Sequence, residues 1–145
     1  MALPKDNPYN QYRETQINTA NQGKLIVMLY DGCIKFLNIA IENMESPNTY
    51  DVVNTNIIKA QDIITELLLS LNMNEGGEVS QNLFNLYMYF KKQMLEANIK
   101  KDPAVLKPVL DNLKMLRDAW DKISATETRT DRTGAGNKGS FSVEG

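Results

Sequence analysis

The chain is 145 residues long, 42% apolar and 23% charged, with a net charge of −2, one cysteine and no histidine. Such figures fit one globular domain and exclude several chemistries. There is no basic excess for nucleic-acid binding, no Ser-His or Cys-His couple, no His-containing metal site and no intrachain disulfide. No apolar run approaches the roughly 20 residues that span a bilayer, and the first residues lack the apolar core of a secretory signal, so a reducing cytoplasm is the expected home.

Residues 1–18 are polar and interrupted by Pro4 and Pro8, with Tyr9, Tyr12 and Ile17 as isolated apolar points. The spacing leaves two readings open: a short helical turn that lays the three onto a surface, or a floppy leader. A long helix follows over about 21–45, with Thr19 or Asn21 as its cap. Its polar residues, Lys24, Asp31, Lys35, Asn38, Glu42 and Glu45, trace one narrow line. The rest of the circumference is apolar or small, Cys33 included, so the helix needs neighbours on several sides. Either it lies at the centre of a bundle, or part of its surface awaits another chain. Gly32, between Leu29 and Phe36, is either a tolerated glycine or a point of close helix approach.

Ser46-Pro47-Asn48 is a turn, and Asn48 or Thr49 can cap a second helix over about 49–72. Its core row is Val53, Ile57, Ala60, Ile64, Leu67 and Leu71, with Ile58, Ile63, Leu68 and Leu69 outside it. Its many β-branched residues favour strand, but the period is helical and the run too long for one. After the turn at Asn74 and Gly76-Gly77, a third helix runs over about 78–100. Its core row is Val79, Leu83, Leu86, Phe90, Met94 and Ala97, flanked by Phe84, Tyr87, Met88, Tyr89, Leu95 and Ile99. The four large side chains Tyr87-Met88-Tyr89-Phe90 cannot share one core, so one or two aromatics sit at a rim, a place that suits phenol rings.

Asp102-Pro103 starts a fourth helix over about 103–124, a capping carboxylate followed by proline in the first position. Its core row is Leu106, Val109, Leu113, Leu116, Trp120 and Ile123. Pro108 predicts either a kink or a true start nearer Lys107. From Ala125 apolar periodicity stops, and residues 125–145 read as a flexible tail. The fold class is therefore all-α: an antiparallel up-down four-helix bundle with a short N-terminal extension (1–18). Carboxylates scattered over solvated faces assign no metal, cofactor or catalytic residue, and no Glu-x-x-His pair marks a di-iron bundle. The first and third helices carry more apolar surface than one bundle seam uses, a surplus that serves oligomerisation or a groove for an apolar partner segment.

Asn7-Pro-Tyr, Tyr12, Thr19-Ala and Gly23-Lys-Leu-Ile-Val-Met-Leu-Tyr-Asp-Gly-Cys-Ile-Lys-Phe-Leu together resemble the opening of the FliS family of flagellin export chaperones. The likeness continues in Ile58-Lys-Ala-Gln-Asp-Ile-Ile, Leu86-Tyr-Met-Tyr-Phe, Glu96-Ala-Asn-Ile-Lys-Lys-Asp and Arg117-Asp-Ala-Trp, and so covers about residues 7–124. It departs at Gln22, where the family often has proline, and at Pro108, where a helix former is usual.

The resemblance implies a cytosolic bundle that binds the disordered C-terminal segment of flagellin in apolar grooves. It also implies that the bundle prevents premature polymerisation and delivers its cargo to an export-gate component of the flagellar type III apparatus, without a cofactor. The expected groove residues are Leu25, Met28, Leu29, Tyr30 and Phe36, with Tyr87, Met88 and Tyr89 opposite; for each of them core packing is the competing role. The resemblance also gives Tyr9, Tyr12 and Ile17 the part of a plug in that groove and a contact with the export gate. Partners outside this list are not expected: no nucleic acid, no membrane insertion. The competing reading is a structural four-helix homodimer without flagellin cargo, and a homodimer is also one form open to a cargo-free chaperone.

Overall fold

A computed structural model of the chain describes residues 22–133, with side chains over 22–125. It is an all-α four-helix bundle: α1 (Gln22–Glu42), a 3₁₀ turn (Pro47–Thr49), α2 (Tyr50–Leu69), α3 (Gly77–Lys100) and α4 (Pro103–Thr133). The short connections make successive helices antiparallel. Each helix packs on the two beside it, closing the ring α1–α2–α3–α4. The contacts of α1 with α2 and α4 are extensive, and those of α3 with its neighbours are sparser.

The core forms where the core rows meet. Leu37, Ala40, Val53, Ile57, Ala60, Ile64, Leu67, Phe90, Met94, Ala97, Leu106, Val109 and Leu113 are all buried in one cluster. α1 takes one side of the ring and not its centre, yet nine of its residues are buried. Gly32 is a point of close approach, since a Cβ built there would lie 3.1 Å from the Ile63 Cδ1 of α2. Cys33 is buried, its thiol 3.7 Å from the Ala60 carbonyl, and burial pushes that thiol up from its ordinary pKa, so it packs as a small protonated side chain.

The joints depart from the sequence reading in detail. Ser46 caps the 3₁₀ turn by accepting from the Asn48 amide at 3.2 Å. Thr49 precedes α2 without capping it, its hydroxyl donating instead to the Asn43 and Ser46 carbonyls. Asp102 accepts from the Ala104 amide at 3.0 Å, so α4 begins at Pro103 as expected, not near Lys107. Pro108 lies inside α4, with its side chain exposed. The helix continues to Thr133, past the expected end of its apolar period at 124. Extending a formed helix costs far less than nucleating one, so a polar run can follow an anchored helix.

Lys101 ends α3 in the left-handed region (φ 52°) without being glycine, at a conformational cost of roughly 1–2 kcal/mol. Its ammonium group donates to the Asn98 carbonyl (2.7 Å) and Asn54 Oδ1 (3.2 Å) and lies 4.9 Å over the Tyr50 ring. These contacts tie the end of α3 to α2 and offset the strain.

The α2–α3 turn leaves no room at Gly76. A Cβ there would overlap the Ser80 hydroxyl and stand 2.6 Å from the Asn72 carbonyl oxygen. Gly76→Ala is therefore expected to destabilise the bundle by about 1–3 kcal/mol, as overpacking does, a change readable in the urea midpoint.

Candidate functional site

The side chains the bundle leaves uncovered gather on α3. Phe84, Met88, Leu95 and Ile99 are 37%, 46%, 54% and 71% exposed. Their spacing of four, seven and four repeats at eleven residues, close to a whole number of turns, so they form one stripe nearly parallel to the helix axis. It runs about 22 Å at 1.5 Å per residue. Lys91 lies on the edge of this stripe nearer α2: its ammonium donates to Thr65 Oγ1 (2.6 Å), and its carbonyl accepts from Gln61 Nε2 (3.3 Å). Ile58 and Leu69 of α2 share the helical face of Gln61 and Thr65 and are also exposed. The outer seam between α2 and α3 is thus apolar on both banks, with polar ties at its floor.

The seam of α3 with α4 carries a second such area. Val79, Leu86 and Tyr89 share one side of α3, while Leu116, Trp120 and Ile123 share one side of α4. Val79, Tyr89 and Ile123 are exposed, and Leu86, Leu116 and Trp120 are half-buried. Val79 and Ile123 belong to the core rows read from the sequence, and the structure corrects both. Spacing gives a side chain's bearing around its helix but not how far along the bundle its neighbours reach. Beside Ile123 it is Ser124 that is buried instead.

The eight expected groove residues separate into three groups. Met88 and Tyr89 are exposed on α3, which agrees with a rim aromatic beside the buried Tyr87 and Phe90. Met28 and Phe36 are half-buried on α1, the Phe36 ring having the Lys59 and Lys35 ammonium groups 5.3 Å and 5.9 Å from its centroid, within cation–π range. Leu25, Leu29, Tyr30 and Tyr87 are buried. The Tyr30 and Tyr87 hydroxyls share a buried 2.6 Å hydrogen bond across the bundle, and burial first of all pushes both phenols up. The structure therefore sets Met88 among Phe84, Leu95 and Ile99 beside Ile58 and Leu69, leaves Tyr89 on the side of α3 that faces α4, and puts Leu29, Tyr30 and Tyr87 in the core cluster, with Leu25 buried outside it. Phe84, Leu95, Ile99, Ile58 and Leu69 all fall outside the core rows, and that offset was the signal for them. Tyr9, Tyr12 and Ile17 lie outside the described residues.

Electrostatics add little to either seam. Arg117 of α4 donates to Asp31 of α1 at 2.8 Å, with Asp118 and Asp121 near. This surface network ties α1 to α4, and the bond to Asp31 is the main cause of the raised Arg117 pKa. A shallow cleft of about 310 Å³ lies between Ile41 of α1 and Pro103–Lys114 of α4, with Lys107 paired to Asp111 at its rim. Among the described residues no three His, Cys, Asp or Glu side chains come together to hold a metal ion, and no helix is long and apolar enough to cross a membrane. What the surface offers is apolar area beside α3, which suits a partner segment rather than a reaction.

Comparison with known proteins agrees with that chemistry. Residues 5–127 match the family model described as Flagellar protein FliS. The chain is 40% identical over 130 residues to the flagellar secretion chaperone FliS of Bacillus subtilis (strain 168), across 90% of this chain and 95% of that protein. It is 34% identical over 110 residues to the chaperone of the same name from Vibrio cholerae, across 76% of this chain and 80% of the relative. For the Escherichia coli (strain K12) chaperone the figures are 32% over 108 residues, across 74% and 79%.

Proposed function

Because the chain belongs to the FliS family of flagellar secretion chaperones, a family of chaperones and not of enzymes, we propose that it binds the disordered C-terminal segment of flagellin in the cytoplasm. Bound in this way, the segment cannot polymerise before it reaches the export gate. The observation that carries this reading is the uncovered stripe Phe84, Met88, Leu95 and Ile99. An amphipathic segment that turns helical on binding can lay its apolar side along that stripe and into the seams beside α2 and α4. It must also lose its own conformational freedom, so a large contact area gives only moderate affinity. That balance suits a cargo that has to be released. Methionine in the stripe adapts its shape to an irregular partner.

Co-purification with full-length flagellin beside flagellin lacking its C-terminal segment tests the reading. Retention of the full-length protein alone is the expected result. A dimer that persists at low concentration in light scattering, and takes up neither form, would assign the stripe to a homodimer instead.

Tyr9, Tyr12 and Ile17 are proposed to compete with flagellin for the same apolar area and to reach the export gate. Deleting residues 1–18 is then expected to strengthen flagellin binding in calorimetry, and unchanged or weaker binding would count against the plug.

A further inference from the structure

The first ten residues of α3 are held differently from the rest of the helix. From Gly77 to Leu86 the one buried side chain is Ser80, and the buried apolar residues Tyr87, Phe90, Met94 and Ala97 all follow. Leu83 and Leu86 are only half-buried, and Val79 and Phe84 are exposed. The helix also starts without a side-chain cap, behind Gly76 and Gly77, and the first helical amide bond, from Ser80 to the Gly76 carbonyl, is long at 3.4 Å. Hydrogen bonds that tie α3 to other helices fall at Tyr87 and Lys91, and at Lys101 just past its end. A helical stretch of ten residues is not stable by itself, and segments with few buried apolar contacts open at a small fraction of the global unfolding free energy.

We propose that residues 77–86 form a flap that opens and closes while the rest of the bundle stays folded, with the Tyr30–Tyr87 hydrogen bond as the latch at its hinge. The pair suits this place. It joins α1 to α3, which face each other across the ring and are not packing neighbours. The two hydroxyls bond each other inside an apolar core, and Tyr30 has the Trp120 indole beside it as well, so removing the Tyr30 hydroxyl leaves that of Tyr87 buried and unpaired. An open flap uncovers the half-buried leucines beneath it, Leu83 and Leu86 on its own inner side and Leu68 and Leu71 of α2. The apolar area on offer then grows when a partner is present. That use rests on the cargo-binding reading; the flap itself does not.

Native-state hydrogen exchange on the cargo-free full-length chain tests the flap without any partner. Amides of residues 81–86 are expected to exchange at least about 100-fold faster than those of 90–97, through openings insensitive to low denaturant, as local openings are. Equal protection across α3, lost together with global unfolding, would overturn the flap. Tyr87→Phe and Tyr30→Phe are each expected to extend the fast block past residue 87 while residues 94–97 stay protected. The double variant is expected to do no more than either single one, because the two hydroxyls act as one unit. Exchange unchanged in both single variants, or additive in the double, would overturn the latch. Flagellin takes no part in these measurements, so their failure leaves the co-purification result standing, and the reverse holds too.

Discussion

Replacing Met88 and Leu95 together by glutamate is expected to lower affinity for the flagellin C-terminal segment by at least about 100-fold, since loss of central contacts of this kind costs on the order of 2 kcal/mol or more. Both side chains stand about half exposed on one face of α3. Removing them therefore opens no cavity, and surface changes of this sort alter stability by about 0.5 kcal/mol or less. The two carboxylates would sit where an apolar partner face has to dehydrate them, a cost with no compensating bond. Titration calorimetry with the flagellin segment measures the loss, and far-UV circular dichroism checks that the bundle is intact. Full affinity in an intact double variant would move the cargo surface away from the stripe. The same variant in light scattering distinguishes a cargo surface from a self-association surface, because a homodimer built on the stripe would fall apart without any flagellin present.

The second large effect concerns stability, and it uses two phenylalanines on the same helix. Phe90 is fully buried, with the rings of Tyr87 and Tyr89 at centroid distances of 6.3 Å and 6.2 Å. Phe90→Ala is expected to cost about 3–5 kcal/mol, from lost transfer free energy and the cavity left behind. That is a large share of the roughly 5–15 kcal/mol available to a domain. Phe84 is on the exposed stripe, so Phe84→Ala is expected to cost less than about 1 kcal/mol while still weakening flagellin binding. Urea denaturation of both variants reads the contrast. A similar loss in the two would mean that Phe84 supports the bundle and is not held for a partner.

Much of this protein is legible in its residues alone. The bundle follows from four apolar rows with helical spacing, broken at Ser46-Pro47, at Gly76-Gly77 and at Asp102-Pro103. The order of short turns requires antiparallel neighbours. The family follows from an ordered set of local matches, which the comparison over residues 5–127 bears out. Even the crowding at Tyr87-Met88-Tyr89-Phe90 resolves as the sequence requires, two side chains inward and two outward.

The candidate site was only half legible. The apolar excess on α1 and α3 looks the same in the sequence, yet its fates differ. On α1 most of it is covered: Ile26, Leu29, Tyr30, Cys33 and Leu37 join the core cluster, and α2 comes close enough for Gly32 to meet Ile63. On α3 the neighbours stand off, and Phe84, Met88, Leu95 and Ile99 stay in reach of solvent. Tyr30 and Tyr87 have the amphipathic chemistry of rim residues, but each finds its hydrogen-bond partner in the other, 57 positions away, and so can be buried. The local period of 3.6 residues determines which way a side chain points around its own axis, and this much the sequence carries by itself. How deeply that side chain is covered depends on how closely helices distant in sequence approach, a balance of packing among them all that only the tertiary structure decides.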